Sequence, residues 1–294
     1  MHIRLSAGTA AKLGLKKFRF TIPMPTAYFM IGNRCTFNCL YCAQARKSKA
    51  DTSRLSRIVW PQYELSAVLE TLKKQNPFSR FCIQTVSSKG YKEEALILIE
   101  KLSRLKTPIS LSVRPQNTEE VKTYFSQGIE RIGIAVDVIS PELFKKYRGG
   151  DYEKHIELLF NAAKEFKGRV STHVIVGLGE REKDVIDFIY QCYTRDIEVG
   201  LFSFTPVKGT ALERLPQPDM RAYRTIQIAR YLLKKDPKKY YGKFLYNEEE
   251  KLIDFGIDVS SVNLSEAFKT SGCPGCTRPF YNERPGKELY NVFM

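Results

Sequence analysis

Histidine is scarce in this 294-residue chain, with three in all, so a metal site built on imidazoles is not expected. No apolar run approaches the length needed to cross a bilayer. The N-terminus, MHIRLSAGTAAKLGLKK, has no apolar block with a cleavage site. No secretory signal is therefore read there, and a cytoplasmic location is expected. There is no low-complexity segment and no internal repeat of the kind that builds a solenoid. Acidic residues are in deficit: 32 Asp+Glu stand against 47 Lys+Arg, a formal net charge of +15. Such a surplus favours acidic partners. The bases are spread along the chain, as in KLGLKK and LLKKDPKK, and read first as a solvated basic surface. No RNP1 sequence, recognition-helix pattern or aromatic–basic interleaving accompanies them, so a nucleic-acid partner is not expected.

What remains is a globular composition, 43% hydrophobic, with seven cysteines. An odd cysteine count without a secretory signal argues for metal or catalytic use over disulfides. Three of the seven lie in CTFNCLYC: Cys35, Cys39 and Cys42, with Tyr41 immediately before the last. Zinc sites prefer paired cysteines and four ligands. An iron–sulfur cluster made only for electron transfer also takes four. Three thiolates on one loop can hold three irons of a cubic cluster and leave the fourth open to a substrate or cofactor.

Strand and helix patterns alternate along the chain. AYFMIGN, RFCIQTV, PISLSV, RIGIAV, RVSTHVIVG and VGLFSF read as strands, each followed by a helical pattern. Six such units over roughly residues 25–235 predict an α/β fold with a parallel sheet, a partial (βα)6 TIM-type barrel. We expect residues 1–235 to form that barrel with a short N-terminal lead-in. Residues 236–294, rich in Gly and Pro near TSGCPGC, read as an irregular C-terminal extension. Alternation within the strands turns Cys82, Gln84, Ser110, Ser112, Ser171, His173, Ile175, Ser203 and Thr205 inward, with Arg114 just beyond. A full barrel packs its interior with branched apolar residues, so this small, polar lumen reads as a substrate cavity. Cys192 shares an apolar helical face with Val185 and Ile189 and reads as core. His173 reads first as a hydrogen-bonded core histidine.

CTFNCLYC after the first strand, with the six units, resembles the radical SAM superfamily. The resemblance implies that Cys35, Cys39 and Cys42 bind a [4Fe–4S] cluster whose open iron is chelated by S-adenosylmethionine (SAM). Reductive cleavage then gives methionine and a 5′-deoxyadenosyl radical that abstracts hydrogen. VIVGLGE resembles the family's adenine-contacting motif through Ile175, Gly177 and Glu180, with His173 in place of its first glycine. IAVDVISPELFKKYRGG is similar to biotin and lipoyl synthases and implies Asp137 at the SAM ribose and Arg148 at its carboxylate. Where the family often has GGE, this chain has TVSSKG, which leaves Ser87 and Ser88 as candidates for the SAM amino group. FTPVKGTAL closely resembles a biotin synthase stretch at the sixth strand.

Cys82 matches a cysteine that holds the auxiliary cluster of biotin synthase. With Cys273 and Cys276 it implies a second iron–sulfur cluster. The cysteine region through LSRIVWP, together with TSGCPGCTRPFYNERPG, resembles the two-protein lipoyl synthases. That resemblance implies sulfur insertion into an octanoyl chain on a lipoyl carrier protein or peptide. It further implies a paralogous radical SAM partner and an electron donor such as ferredoxin or flavodoxin. A biotin-synthase-like or other radical SAM maturase or rearrangement reaction is the enzymatic alternative. An RNA-binding or structural zinc protein is the non-enzymatic one.

Overall fold

The computed structural model describes residues 1–18 and 21–293. Its strands are β1 (His2–Leu5), β2 (Thr26–Ile31), β3 (Arg54–Leu55), β4 (Ile58–Val59), β5 (Gln62–Glu64), β6 (Arg80–Thr85), β7 (Ile109–Ser112), β8 (Arg131–Gly133), β9 (Val170–Val176), β10 (Glu198–Ser203), β11 (Leu245–Tyr246) and β12 (Leu252–Asp254). Eight of them form one sheet in the order β10-β9-β8-β7-β6-β2-β1-β5. The six strands from β2 to β10 in that order are parallel and run in chain sequence. They are the six strands read from the sequence, in the partial barrel expected. Sequential parallel neighbours need a crossover helix on the outer face. Those helices include α2 (Leu65–Lys74), α3 (Tyr91–Ser103), α4 (Thr118–Ser126), α6 (Tyr152–Glu165), α7 (Glu182–Tyr193) and α8 (Met220–Lys235). The short α1 (Ala7–Lys12) and α5 (Pro141–Leu143) fill connections.

Of the eight strands in this sheet the sequence reading missed two. β1 pairs antiparallel with β2, and β5 with β1, so the lead-in and the end of the first crossover lengthen the sheet. Both were hidden by brevity: the few residues of HIRL and QYE carry too short an alternation to read. The helical pattern of YELSAVLETLKKQ accordingly becomes a helix only from Leu65, its first residues being taken by β5.

Core formation follows strand alternation. Phe81 and Ile83 are fully buried between sheet and helices, as are Phe29 of β2 and Leu201 of β10. Cys192 is completely buried on α7, as expected. Side-chain caps start the outer helices: Asn117 accepts from the Glu120 amide, Asp151 from Lys154, and Asp219 from Arg221 and Ala222. In the C-terminal stretch the structure has α9 (Pro237–Tyr241), the β11–β12 hairpin, a 3-10 turn and α10 (Leu264–Ala267), joined by irregular chain. Among the described residues no helix is long and apolar enough to cross a membrane.

His155 on α6 ties the outer layer to the lumen wall, its Nε2 lying 2.8 Å from the Ala135 carbonyl. Burial, with the Arg148 charge behind it, lowers its pKa from 6.5 to about 4. The unfolded chain therefore takes up this proton near pH 6.5, whereas the fold resists until about 4. The stability His155 confers is complete above pH 6.5 and is lost as pH falls towards 4. That shift corresponds to roughly 3 kcal/mol. Urea unfolding at pH 7 and pH 4.5 should show this loss, and His155→Gln should flatten the dependence.

Candidate active site

The site lies where β2 ends. Gly32 leaves the strand with φ 80°, and a Cβ there would stand 2.1 Å from the Val86 carbonyl oxygen. Only glycine fits this close approach. From there the chain enters the cysteine loop, which closes on itself: the Cys35 amide donates to Gln44 O at 2.9 Å, and the Cys42 amide to Cys39 O at 3.1 Å. The buried Gln44 amide staples the loop to Thr52 O (2.8 Å) and Arg54 O (2.6 Å). Leu40 N donates to Tyr147 O at 2.7 Å, fastening the loop to the turn after α5.

Cys35, Cys39 and Cys42 line one wall of a cavity of about 230 Å³ over the C-terminal ends of the strands. Burial pushes the Cys42 thiol up to about 12 and raises Cys39 as well. Such thiols are poor free nucleophiles. A bound metal displaces their protons and supplies the compensating charge.

From within the loop, Tyr41 donates to Asp137 Oδ2 at 2.8 Å, and Arg148 Nη1 donates to both Asp137 Oδ2 and the Tyr41 hydroxyl. Arg148 Nη2 adds a bond to Ala135 O at 2.6 Å. The three residues form one buried, charge-assisted cluster. Asp137 and Arg148, each expected to hold a part of SAM, pair with each other, because a lone buried guanidinium or carboxylate is costly. Among the described residues these bonds engage only Oδ2 of Asp137, and the residue lines the cavity. Asp137 has φ 62° and is held there by two bonds to β9, from Asp137 N to His173 O and from Ile175 N to Asp137 O, each 2.8 Å. Left-handed backbone at a non-glycine residue is strain that the surrounding structure must enforce, and it concentrates at functional sites. Arg148 ends a π-helical turn (Phe144–Arg148), a second such irregularity.

The remaining candidates divide. Ser87 and Ile175 line the cavity. Ser88 does not: its Oγ lies behind the wall and accepts from Asn33 N at 3.1 Å. Gly177 and Glu180 do not reach the cavity either. The Glu180 carboxylate accepts from Gly177 N (2.5 Å) and Leu178 N (2.8 Å), locking the turn after β9. Gly177 has φ 105°, and a Cβ there would stand 2.7 Å from Pro218 Cδ. These two residues therefore shape the wall that carries Ile175. Glu180→Ala should strand two amides, cost about 1–3 kcal/mol in chemical unfolding, and weaken SAM binding without changing iron content.

Sequence reading gave no role to Arg114, Phe37, Tyr281 or Asn282, which also line the cavity. Arg114 lies over Phe37, 3.9 Å from the ring centroid, and donates through Nη2 to Gly149 O at 3.0 Å. Its Nη1 is buried without a partner among the described residues. A buried donor without a partner calls for an acceptor in the working state. A carboxylate in this cavity would supply one, which suits an amino-acid end such as that of SAM. The position of Arg114 just past β7 was the available signal.

A second cavity, of about 310 Å³, lies below the first, toward the N-terminal ends of the strands. Cys82, Cys273 and Cys276 all line it, the first from β6 and the others from the C-terminal extension. The Tyr28 hydroxyl lies 3.7 Å from Cys276 Sγ and accepts from the Thr277 and Arg278 amides, both at 3.1 Å. Thr26 Oγ1 donates to Gly275 O at 2.8 Å. Two residues of β2 thus hold the CPGC turn in the lumen. Burial raises the Cys82 and Cys276 thiols, while Arg278 lowers both. Among the described residues no group of three or more His, Cys, Asp or Glu is arranged to hold a single metal ion.

The two cavities share walls: Gln84, Ser112, His173, Phe202 and Tyr281 line both. His173 departs from the expected hydrogen-bonded core histidine. Neither of its ring nitrogens has a partner among the described residues, and its ring meets Phe202 edge-on at 5.0 Å. Burial lowers its pKa to about 4, leaving a neutral imidazole between the two thiol sets.

The sequence profile of the Radical SAM superfamily matches residues 29–190, more than half of the chain, and includes the cysteine loop, Asp137, Arg148 and the β9 turn. The chain belongs to the radical SAM superfamily. This membership implies a [4Fe–4S] cluster and SAM, and the thiol loop, the Asp137–Tyr41–Arg148 cluster and the free donor of Arg114 fit them. Among curated relatives, biotin synthase of Clostridium acetobutylicum is 24% identical over 220 residues, covering 71% of this chain and 65% of that protein. Mitochondrial biotin synthase of Saccharomyces cerevisiae is 24% identical over 259 residues, covering 82% and 68%. A probable GTP 3',8-cyclase of Methanococcus aeolicus is 28% identical over 157 residues, covering 51% and 47%. The chain thus spans about two thirds or less of the length of these relatives. Of solved structures, HydG, a maturase of the [FeFe]-hydrogenase, aligns with TM-score 0.58 at 13% identity, covering 72% of this chain and 50% of that one. Methylornithine synthase aligns with TM-score 0.53 at 17% identity, covering 79% and 68%. These two likenesses concern the fold.

Proposed function

We propose that this radical SAM enzyme inserts sulfur at an unactivated carbon of a protein-bound octanoyl chain, as one component of a two-protein lipoyl synthase. The observation that carries the reading is the second thiol set. Cys82, Cys273 and Cys276 open onto the same lumen as Cys35, Cys39 and Cys42, across five shared wall residues. Three thiols there suit an auxiliary iron–sulfur cluster, and two relatives named biotin synthase support sulfur chemistry. When bound, the first cluster and SAM supply a hydrogen-abstracting radical, and the auxiliary cluster supplies sulfur. The chain's own residues do the rest. Tyr41, Asp137 and Arg148 form a rigid wall, with Asp137 at a ribose hydroxyl. Arg114 meets the SAM carboxylate. Phe202 and Tyr281 keep the shared wall apolar around the reacting carbon, and neutral His173 offers the one unpartnered imidazole beside both thiol sets. An octanoylated lipoyl carrier and a paralogous radical SAM subunit are the proposed partners, and ferredoxin or flavodoxin the proposed electron source.

The test is anaerobic incubation of the reconstituted protein with SAM, reductant and an octanoyl-lysyl peptide, read by mass spectrometry. A product carrying one added sulfur is expected. Cys273→Ala/Cys276→Ala should lose one cluster's iron and sulfide and all sulfur product, yet still release 5′-deoxyadenosine. Unchanged iron content in that variant would exclude the second cluster. The relatives favour one other reading, a biotin-synthase-like reaction on a small free substrate. Dethiobiotin in a parallel incubation separates the two.

A further inference from the structure

Part of the charge surplus gathers around the cysteine loop. From Gly32 to Ala50 the cysteine loop contains Arg34, Arg46, Lys47 and Lys49 and no acidic residue. Arg34 is exposed but folds back on its own loop, donating to Ser48 O at 2.6 Å, while Arg46, Lys47 and Lys49 are exposed without such a bond. Two further turns are fastened to this loop by backbone bonds. Leu40 N to Tyr147 O (2.7 Å) brings up the turn bearing exposed Lys145 and Lys146. Lys49 N to Gly209 O (2.8 Å) brings up exposed Lys208. Among the described residues none of these six bases forms an ion pair, whereas Asp51 is matched by Arg54, and Glu213 turns to the Gly209 amide. The nearby Glu142 is the exposed acid on the third side. Phe37, 37% exposed, lies in the same loop between Cys35 and Cys39. Unpaired like charges gathered around one loop repel one another and are relieved by a partner of opposite sign.

We propose that this face, the cysteine loop with the turns at Lys145–Lys146 and Lys208, docks an acidic low-potential redox protein that reduces the cluster. The proposal rests on the radical SAM reading but not on sulfur insertion. Each SAM cleaved consumes one electron: the donor protein is oxidised by one electron, the cluster takes it up, and the sulfonium carbon–sulfur bond accepts it on breaking. The donor's redox group need only approach the outer side of the loop, because half-buried Cys35 and Cys39 lie directly beneath it. An octanoyl carrier, by contrast, must thread its acyl arm into the lumen, and the six bases follow the loop rather than either cavity.

The experiment compares wild type with Lys47→Glu/Lys145→Glu/Lys208→Glu, using dithionite or a reduced plant-type [2Fe–2S] ferredoxin as electron source. Deoxyadenosine formation and the affinity of the reconstituted protein for ferredoxin are both measured across a salt series. We expect the variant to lose about tenfold or more in ferredoxin-driven rate and in affinity at low salt. Added salt should slow the wild type towards the variant, and dithionite-driven rates should match. Equal ferredoxin rates and affinities in the two proteins would overturn the proposal. So would a loss under dithionite confined to carrier-bound substrate, which assigns the face to the carrier. A wild type that releases no deoxyadenosine even with dithionite would instead sink the reading of the cysteine loop.

Discussion

Cys39→Ser should fold normally, hold no cluster at the loop and release no deoxyadenosine above the assay floor. Cys39 is held in place from outside the loop, with its Sγ 3.6 Å from the Arg148 carbonyl oxygen. Serine keeps the size and this contact. What it loses is the soft thiolate that iron–sulfur sites select. The backbone bonds that close the loop, between Cys35 and Gln44 and between Leu40 and Tyr147, do not involve the sulfur. Circular dichroism should therefore match wild type while loop iron and activity vanish. Retained SAM cleavage would show that the three thiols are not the ligand set. The same substitution at Cys192, buried on α7 away from both cavities, should leave cluster content unchanged and cost only stability.

Asp137→Asn should destabilise the fold by about 3–5 kcal/mol, the usual consequence of removing one partner of a buried ion pair. Arg148 is 7% exposed and Asp137 14%, so little solvent is available to the stranded guanidinium. For a chain of this size the loss corresponds to a melting-temperature drop of about 5–8 °C. Arg148→Met should cost a similar amount, and the double variant less than the sum, because the two share one interaction. A purely additive double variant would contradict the pairing. Asp137→Asn should also weaken SAM binding, since Asp137 lines the cavity from a strained backbone position. Measuring SAM affinity on protein that calorimetry shows to be folded separates that effect from instability.

Some of this was legible in the chain. Six strands and their helices follow from period-2 and period-3.6 patterns, and the pleat that buries Phe81 and Ile83 necessarily turns Cys82 and Gln84 inward. The cysteine loop carries its own chemistry, because three thiolates within one turn of chain need no distant partner to be recognised. Short β1 and β5 could not be read, for want of residues to show a period.

The sequence by itself therefore determined the family, the parallel barrel and the first thiol set, since these depend on local periodicity and close spacing. Only the tertiary structure decided which charges meet. It paired Asp137 with Arg148, turned Glu180 and Ser88 to backbone amides away from the cavity, and left Arg114 Nη1 buried without a partner among the described residues. It also brought Cys273 and Cys276 to one cavity with Cys82, about two thirds of the chain away in sequence, held by Tyr28 and Thr26. Burial and electrostatic pairing act between residues brought together by folding, and no local pattern encodes them.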